Sequence, residues 1–408
     1  GFTKKPSFKS CFKLFVTLFL ISVFSVHFFV MSAMVMIGWF LWSGVARVKP
    51  AMTKIAICGL LFFVASSYWM IPAMNRNEPI EGRFGVEHWE AFSASGRDGV
   101  NVLLNVLSLN GFWGEGEPWS KYFSWPQDYI VFWLAFSFVL IFVLIGALSG
   151  LRFRAIRSKV IFFSCLGVFA FIFSTGAAET IFKELNIWLY NNIFFWSGFR
   201  DSQKFSGFLA LSYSVLAGVG LAAVIDFLNK RKLSRVNVVY SFVLLIPVLF
   251  GFLIWGGFQK QLRPVWYPEN WHKAKQIIEA DNSDSNVLFL PWHGYLSLGF
   301  NNNLITANPV RMFFGERAIV SRSVELGGVY DQETETGYKE LDRIIKDEAD
   351  LSADKTIDFF IGYSKIGYIV YFLDLEETDN LRYEFLNSAK LEKVFADESV
   401  EIYLTAID

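Results

Sequence analysis

With 408 residues, 53% of them hydrophobic, 18% aromatic and only 18% charged, the chain is more apolar than soluble domains, which run near 45–50% apolar and about 25% charged. A mean hydropathy of +0.37, with 45 Phe and 14 Trp, points to a membrane, whose interfacial belts use aromatics heavily. The net charge of −1 gives no electrostatic case for nucleic acid. Cys11, Cys58 and Cys165 stand in no CxxC or Cys/His spacing, which speaks against a disulfide framework or a structural zinc site.

In chain order, the sequence opens in a basic stretch (Lys4, Lys5, Lys9, Lys13) without a signal-peptide pattern. The apolar stretch 13–46 is too long for one ordinary span and carries Ser25 and His27 near its middle. It reads as two short helices meeting around Ser25–His27, with one long tilted helix as the alternative. Further apolar runs cover 54–74, 130–150, 159–177, 206–226 and 237–258, and about 20 residues cross a ~30 Å hydrocarbon core. The expected fold is an α-helical polytopic membrane bundle of about seven spans with a C-terminal extracytoplasmic α/β domain. The division expected is a transmembrane helical domain over 1–258 and an outer domain over 259–408.

Basic connections set the orientation. Arg47, Lys49 and Lys54 fill one; Arg152, Arg154, Arg157 and Lys159 the next; Lys230, Arg231, Lys232 and Arg235 the third. Short Lys/Arg-rich loops stay cytoplasmic, so 75–129, 178–205 and 259–408 are expected outside.

The loop 75–129 is too long for a mere turn. Its stretch from Val100 to Leu109 reads as an amphipathic helix lying in the interface, with Trp113 as anchor. The loop is then a platform for a lipid-linked substrate, or simply part of an aromatic belt. The loop 178–205 ends Gly198-Phe-Arg-Asp-Ser-Gln-Lys-Phe205 and runs straight into a span. Arg200 and Lys204 are four apart, so on the first helical turns they would share a face. A helix N-terminus also favours anions. This is the best phosphate site the sequence offers, with Asp201 as cap or as partner to Lys204; snorkelling towards headgroups is the plainer reading.

Beyond 258, polarity rises. Trp271–Ala280 reads as a helix and Asn286–Pro291 as a buried strand. Tyr368–Leu373 is a second strand, 380–388 a helix, and Leu391–Phe395 with Val400–Leu404 a hairpin. The alternation implies an α/β domain with a partly parallel sheet. Its conspicuous motif, Leu290-Pro-Trp-His-Gly-Tyr295, falls at a strand's C-terminal end, where binding groups collect; His293 is the substrate-contact candidate there. No G-x-S-x-G, Walker, HExxH or dinucleotide motif occurs.

The Gly198–Phe205 entry to a span resembles a feature of large prokaryotic membrane proteins with the GT-C glycosyltransferase fold. Trp266-Tyr-Pro-Glu-Asn-Trp271, the run to Trp292, and the closing Ile366–Val370 and Val400–Tyr403 strands are similar too. Such relatives include YfhO-type and arabinofuranosyltransferase-like proteins. The resemblance covers most of the chain. It implies a multi-pass protein of a prokaryotic plasma membrane that transfers sugar from a polyprenyl-phosphate donor to a cell-envelope glycan or lipid acceptor, usually with inversion. A carboxylate on the first outer loop would take the acceptor proton, and cations or a divalent metal would hold the phosphate.

In that family the catalytic acid sits near the N-terminus, after the first span. Here the turn at Ser25–His27 offers none, and the first outer acid is Glu78. The chain is therefore expected to be the C-terminal part of a longer enzyme, its catalytic acid lying upstream of Gly1; Glu87, Glu90 and Asp98 are the substitutes within it. Arg200, Lys204, Trp113 and His293 are the expected substrate contacts. Two other classes stay open: a non-catalytic protein for envelope polysaccharide assembly or transport, and a polymerase or ligase of lipid-linked glycans. Essentially no charges within the spans counts against a transporter.

Overall fold

The computed structural model describes residues 7–44, 52–75, 86–193, 196–231, 236–281, 283–322, 325–326, 329–330, 336–346, 351–375 and 383–405. Helices α1 (Phe8–Phe24) and α2 (Val26–Ser43) are separated by Ser25, whose backbone is extended at φ −163, ψ 120. The Ser25 hydroxyl accepts from the Phe28 amide, capping one of the free N–H groups that start a helix. The stretch 13–46 is thus two helices, broken within the segment expected.

The bundle continues with α3 (Met52–Met74), two short helices α4 (Val86–Ala91) and α5 (Val102–Leu107), then α6 (Ile130–Gly150) and α7 (Arg157–Ser174). After these come α8 (Lys183–Asn192), α9 (Ser206–Lys230), α10 (Val236–Phe250) and the short α11 (Trp255–Lys260). Among the described residues, five helical runs are long and apolar enough to cross a membrane: α2, α3, α6, α7 and the run from Ser202 through α9. A sixth arises if α10 and the turns after it, bent by 50°, form one broken span. The expected number near seven is thus five or six by this measure, because α1 has only 17 residues. The span read at 237–258 stops as a straight helix at Phe250, where Pro247 removes a helical donor and Gly251 follows.

Helices α6 and α9 run side by side with their backbones nearly touching. A Cβ on Gly146 would stand 1.8 Å from the Leu216 carbonyl, and one on Gly220 2.0 Å from the Phe142 carbonyl. Small residues allow such close approach, from which helices in lipid gain their packing energy. Helix α2 is held at both ends. Near its C-terminus the Trp42 indole donates to the Ser158 hydroxyl at 2.9 Å, within the basic connection Arg152–Lys159. Near its N-terminus His27 Nε2 lies 3.3 Å from Lys204 Nζ. Lys204 therefore sits at the end of the bundle opposite that connection.

The C-terminal part begins with α12 (Glu269–Ala280), followed by β1 (Asn286–Leu290), β2 (Tyr295–Ser297), β3 (Ile305–Ala307), α13 (Val310–Phe314), β4 (Ala318–Ile319), β5 (Glu325–Leu326) and β6 (Val329–Tyr330). It closes with α14 (Thr336–Ile345), α15 (Ala353–Ser364), β7 (Ile366–Phe372), β8 (Leu391–Ala396) and β9 (Val400–Thr405). The main sheet has the order β4-β1-β7-β9-β8. Its first three strands are parallel, while β9 is antiparallel to both β7 and β8. Alternate residues of β1 face opposite sides. Val287 and Phe289 pack with Trp271, Ala274 and Ile278 of α12; Leu288 and Leu290 pack with Ile357 and Phe360 of α15. The helix expected over 380–388 is, among the described residues, a single 3-10 turn at Glu384–Asn387; 380–382 lie outside them.

Two contacts place this part beside the long loop. Ser124 and Gln261 exchange hydrogen bonds, amide to side-chain oxygen at 2.7 Å and side-chain amide to carbonyl at 3.4 Å. Strand β6 also lies against α4.

Candidate functional site

The described part of the 75–129 loop is a folded cap over one end of the bundle. Its keystone is Glu115, 4% exposed, in the 3-10 turn Trp113–Gly116. Its Oε1 accepts from the Gly111 and Phe112 amides at 3.0 and 2.9 Å. Its Oε2 accepts from Asn105 Nδ2 and Gln127 Nε2 at 2.6 and 2.8 Å. Burial pushes this carboxyl above its usual range, against the pull of the Asn105, Phe112 and Gly111 hydrogen bonds and the Arg97 charge. Asn105 is itself 0% exposed. The amphipathic helix read over Val100–Leu109 is a shorter, six-residue helix, Val102–Leu107, with a polar residue, Asn105, locked inside the cap.

A second polar lock joins Arg97 to Asp128 in a two-pronged ion pair, Nε to Oδ1 at 2.8 Å and Nη2 to Oδ2 at 3.0 Å. The Trp125 amide adds a bond to Oδ2 at 2.9 Å. Burial alone would raise the Asp128 carboxyl, but the Arg97 and Trp125 hydrogen bonds and the Arg97 charge outweigh it and hold it below the usual carboxylate range. A carboxylate whose folded pKa is depressed stabilises the fold above its unfolded value, about 3.9, and loses that contribution as pH falls through the folded one. Asp128→Asn is thus expected to lower the melting temperature at pH 7, and the gap to wild type is expected to narrow below about pH 4. Thermal scans across this pH range check it; a constant gap would contradict the linkage.

The structure does not bring the residues singled out in the sequence together in one place. Trp113 packs edge-on to Phe92 at 5.1 Å, and its amide donates to Gln203 Oε1 at 3.2 Å. The Arg200 guanidinium lies over the same Phe92 ring at 4.0 Å. Burial raises the neighbouring Tyr190 hydroxyl, and the Arg200 charge pulls it back. Trp113 is part of an aromatic wall with Phe92, Phe112 and Trp119. Lys204, in the 3-10 turn Ser202–Phe205, pairs with Asp201 at 2.8 Å and meets His27. Asp201 makes no side-chain cap bond, so of its two readings the ion pair is the one formed. Since this segment is 3-10 and not α-helical, Arg200 and Lys204 reach different neighbours instead of lining one helical face.

Among the carboxylates, Glu90 pairs with Lys183 at 3.4 Å, Glu87 is exposed in the first turn of α4, and Asp98 is exposed in the turn Arg97–Val100, on the rim of a cavity of about 300 Å³. His293 stands elsewhere, after β1 and the cis Leu290–Pro291 bond. Its amide donates to the Pro291 carbonyl and its carbonyl accepts from Asn308. Trp292 beside it is core, with its indole bonded to Asp342 at 2.9 Å. Among the described residues no three His, Cys, Asp or Glu side chains converge as metal ligands.

The sequence reading stopped short of Glu115, Asn105, Gln127 and the Arg97–Asp128 pair. The available signal was a carboxylate between two glycines, Gly114-Glu-Gly116, amid aromatics.

A bundle of helices long and apolar enough to span a membrane, a capping loop and a parallel-centred sheet beside that cap make up the fold. The fold is similar to that of the arabinofuranosyltransferase AftD from Mycobacteria, known from single-particle cryo-EM, with a TM-score of 0.51 and 14% identity over 94% of this chain and 26% of that one. The chain thus spans about a quarter of that protein's length. No protein-family model and no curated protein matches the sequence.

Proposed function

We propose that the chain serves in glycosyl transfer at the outer face of a prokaryotic plasma membrane, using a polyprenyl-phosphate-linked sugar and a cell-envelope glycan or lipid acceptor. The observation that carries this reading is the cationic group at one end of the bundle. Arg200 and Lys204 stand there beneath the cap, in a fold shared with a membrane arabinofuranosyltransferase. In this reading Arg200, seated on Phe92 and flanked by Trp113, and Lys204, balanced by Asp201, hold the lipid phosphate. Charge-assisted hydrogen bonds to phosphate are the strong ones, and cations placed where charge develops on the leaving phosphate lower the barrier. The sheet part, with His293, helps to position the acceptor. Of the three loop carboxylates, Asp98 is the one placed on a cavity. The basic connections would then be cytoplasmic, and the cap and sheet extracytoplasmic.

The test is binding of polyprenyl phosphate to the protein in nanodiscs. The double variant Arg200→Ala, Lys204→Ala is expected to bind at least about tenfold more weakly while keeping its melting temperature within a few degrees. Unchanged affinity in a folded variant would overturn the role.

A further inference from the structure

Two concavities meet on the cap. The first, of about 300 Å³, is polar and lies between the turn Gly96–Val100 and the segment Glu115–Lys121. The second, of about 690 Å³, is an open and mainly apolar groove between Val102 and Leu103 on one side and the turn Glu179–Ile181 on the other. Gly96 lines both. The Asp98 and Lys121 side chains have no partner among the described residues, whereas the neighbouring Arg97 and Glu115 are engaged in the locks of the cap. Ile181, at the far end of the groove, is 84% exposed, and its turn lies only a few residues beyond the end of the spanning helix α7 at Ser174. The groove is therefore at the level where a span leaves the membrane.

We infer that this double concavity is a binding site for a glycolipid, an amphiphile with a hydroxylated sugar head and a single apolar chain. The head occupies the polar cavity. There the Asp98 carboxylate accepts from sugar hydroxyls, while the Lys121 ammonium and backbone groups donate to them. The chain crosses Gly96 and lies along Val102 and Leu103 towards Ile181 and the bilayer. A lone hydrocarbon in the polar cavity would leave its polar groups without hydrogen-bond partners, and the apolar groove gives a free sugar nothing, so only the joined ligand uses both. The turn Trp113–Gly116 divides this site from the cation group: Trp113 faces Phe92 and Arg200, while Glu115 and Gly116 border the cavity. Resting on the proposed function, the site is where the acceptor waits, across one turn of chain from the donor phosphate.

The probe is an octyl glucoside carrying a diazirine in its chain, photolysed with the whole chain in nanodiscs, with the labelled peptides read by mass spectrometry. Labelling is expected on Asn101–Leu103 and Thr180–Ile181. Unlabelled octyl glucoside should compete, and neither octanol nor methyl glucoside at the same concentration should. The pair Asp98→Asn, Lys121→Met is expected to reduce specific labelling about tenfold, and Val102→Lys to abolish it. Labelling spread over the lipid-facing helices, competition by octanol alone, or indifference to all three substitutions would overturn the site. Because the probe carries no phosphate, failure of the Arg200/Lys204 reading leaves this result unaffected, and the converse also holds.

Discussion

Replacing Glu115 by leucine is expected to collapse the cap while leaving the spanning helices in place. Four N–H groups converge on this carboxylate, from Gly111, Phe112, Asn105 and Gln127, and leucine would leave them all buried without an acceptor. Each unsatisfied donor costs about 1–3 kcal/mol, and some will find substitutes. A net loss of at least about 3 kcal/mol is expected, with new protease cleavage between residues 95 and 128. Glu115→Gln is expected to fall between, since its carbonyl oxygen can still serve the Gly111 and Phe112 amides. Limited proteolysis with thermal unfolding in detergent reads both. A Glu115→Leu protein that melts and resists protease like wild type would show that the carboxylate is not the keystone.

The second large effect concerns Gly146. Leucine there would drive its Cβ to 1.8 Å from the Leu216 carbonyl and 2.8 Å from the Gly220 nitrogen. Both are backbone atoms of α9 and cannot turn aside as a side chain would. The two helices must separate, and every contact along their length weakens. Overpacking that only displaces side chains costs about 1–3 kcal/mol, so a backbone clash is expected to exceed about 3 kcal/mol and leave most of the protein aggregated on extraction. Gly146→Ala is expected to be damaging as well, whereas leucine at Gly59, where a Cβ meets nothing within 4 Å, should be tolerated. Size-exclusion profiles of the three variants decide the matter; a monodisperse Gly146→Leu protein would refute the close crossing.

What the sequence revealed and what it hid divide along the range of the interactions. Spans, the break at Ser25, and strands such as β1 and β7 follow from local signals: hydropathy, a capping hydroxyl, short apolar runs. Hydropathy runs on through Gly251–Phe258, so 237–258 reads as one straight span, and what hydropathy does not register is the bend of 50° where Pro247 and Gly251 end the straight helix at Phe250. The cap was legible only as a loop rich in aromatics. Asn105, Glu115 and Gln127 come from three turns of chain, and nothing local announces that polar residues ten or twelve apart will bury one another. The same limit applies to Arg200 and Lys204. Their spacing implied one helical face, but the choice between Phe92 and His27 as neighbours was made by segments more than a hundred residues away.

The fastening of α2 has a consequence for the bilayer itself. Its two anchor points, His27 and Trp42, are about 23 Å apart along a helix rising ~1.5 Å per residue, less than the ~30 Å of a typical hydrocarbon core. Being tied at both ends, α2 cannot slide to hide the mismatch, so the lipid must accommodate it. A short, fixed span draws the surrounding leaflets together. A bilayer that met α2 between these two contacts would have to be thinner than a typical one on this flank of the bundle.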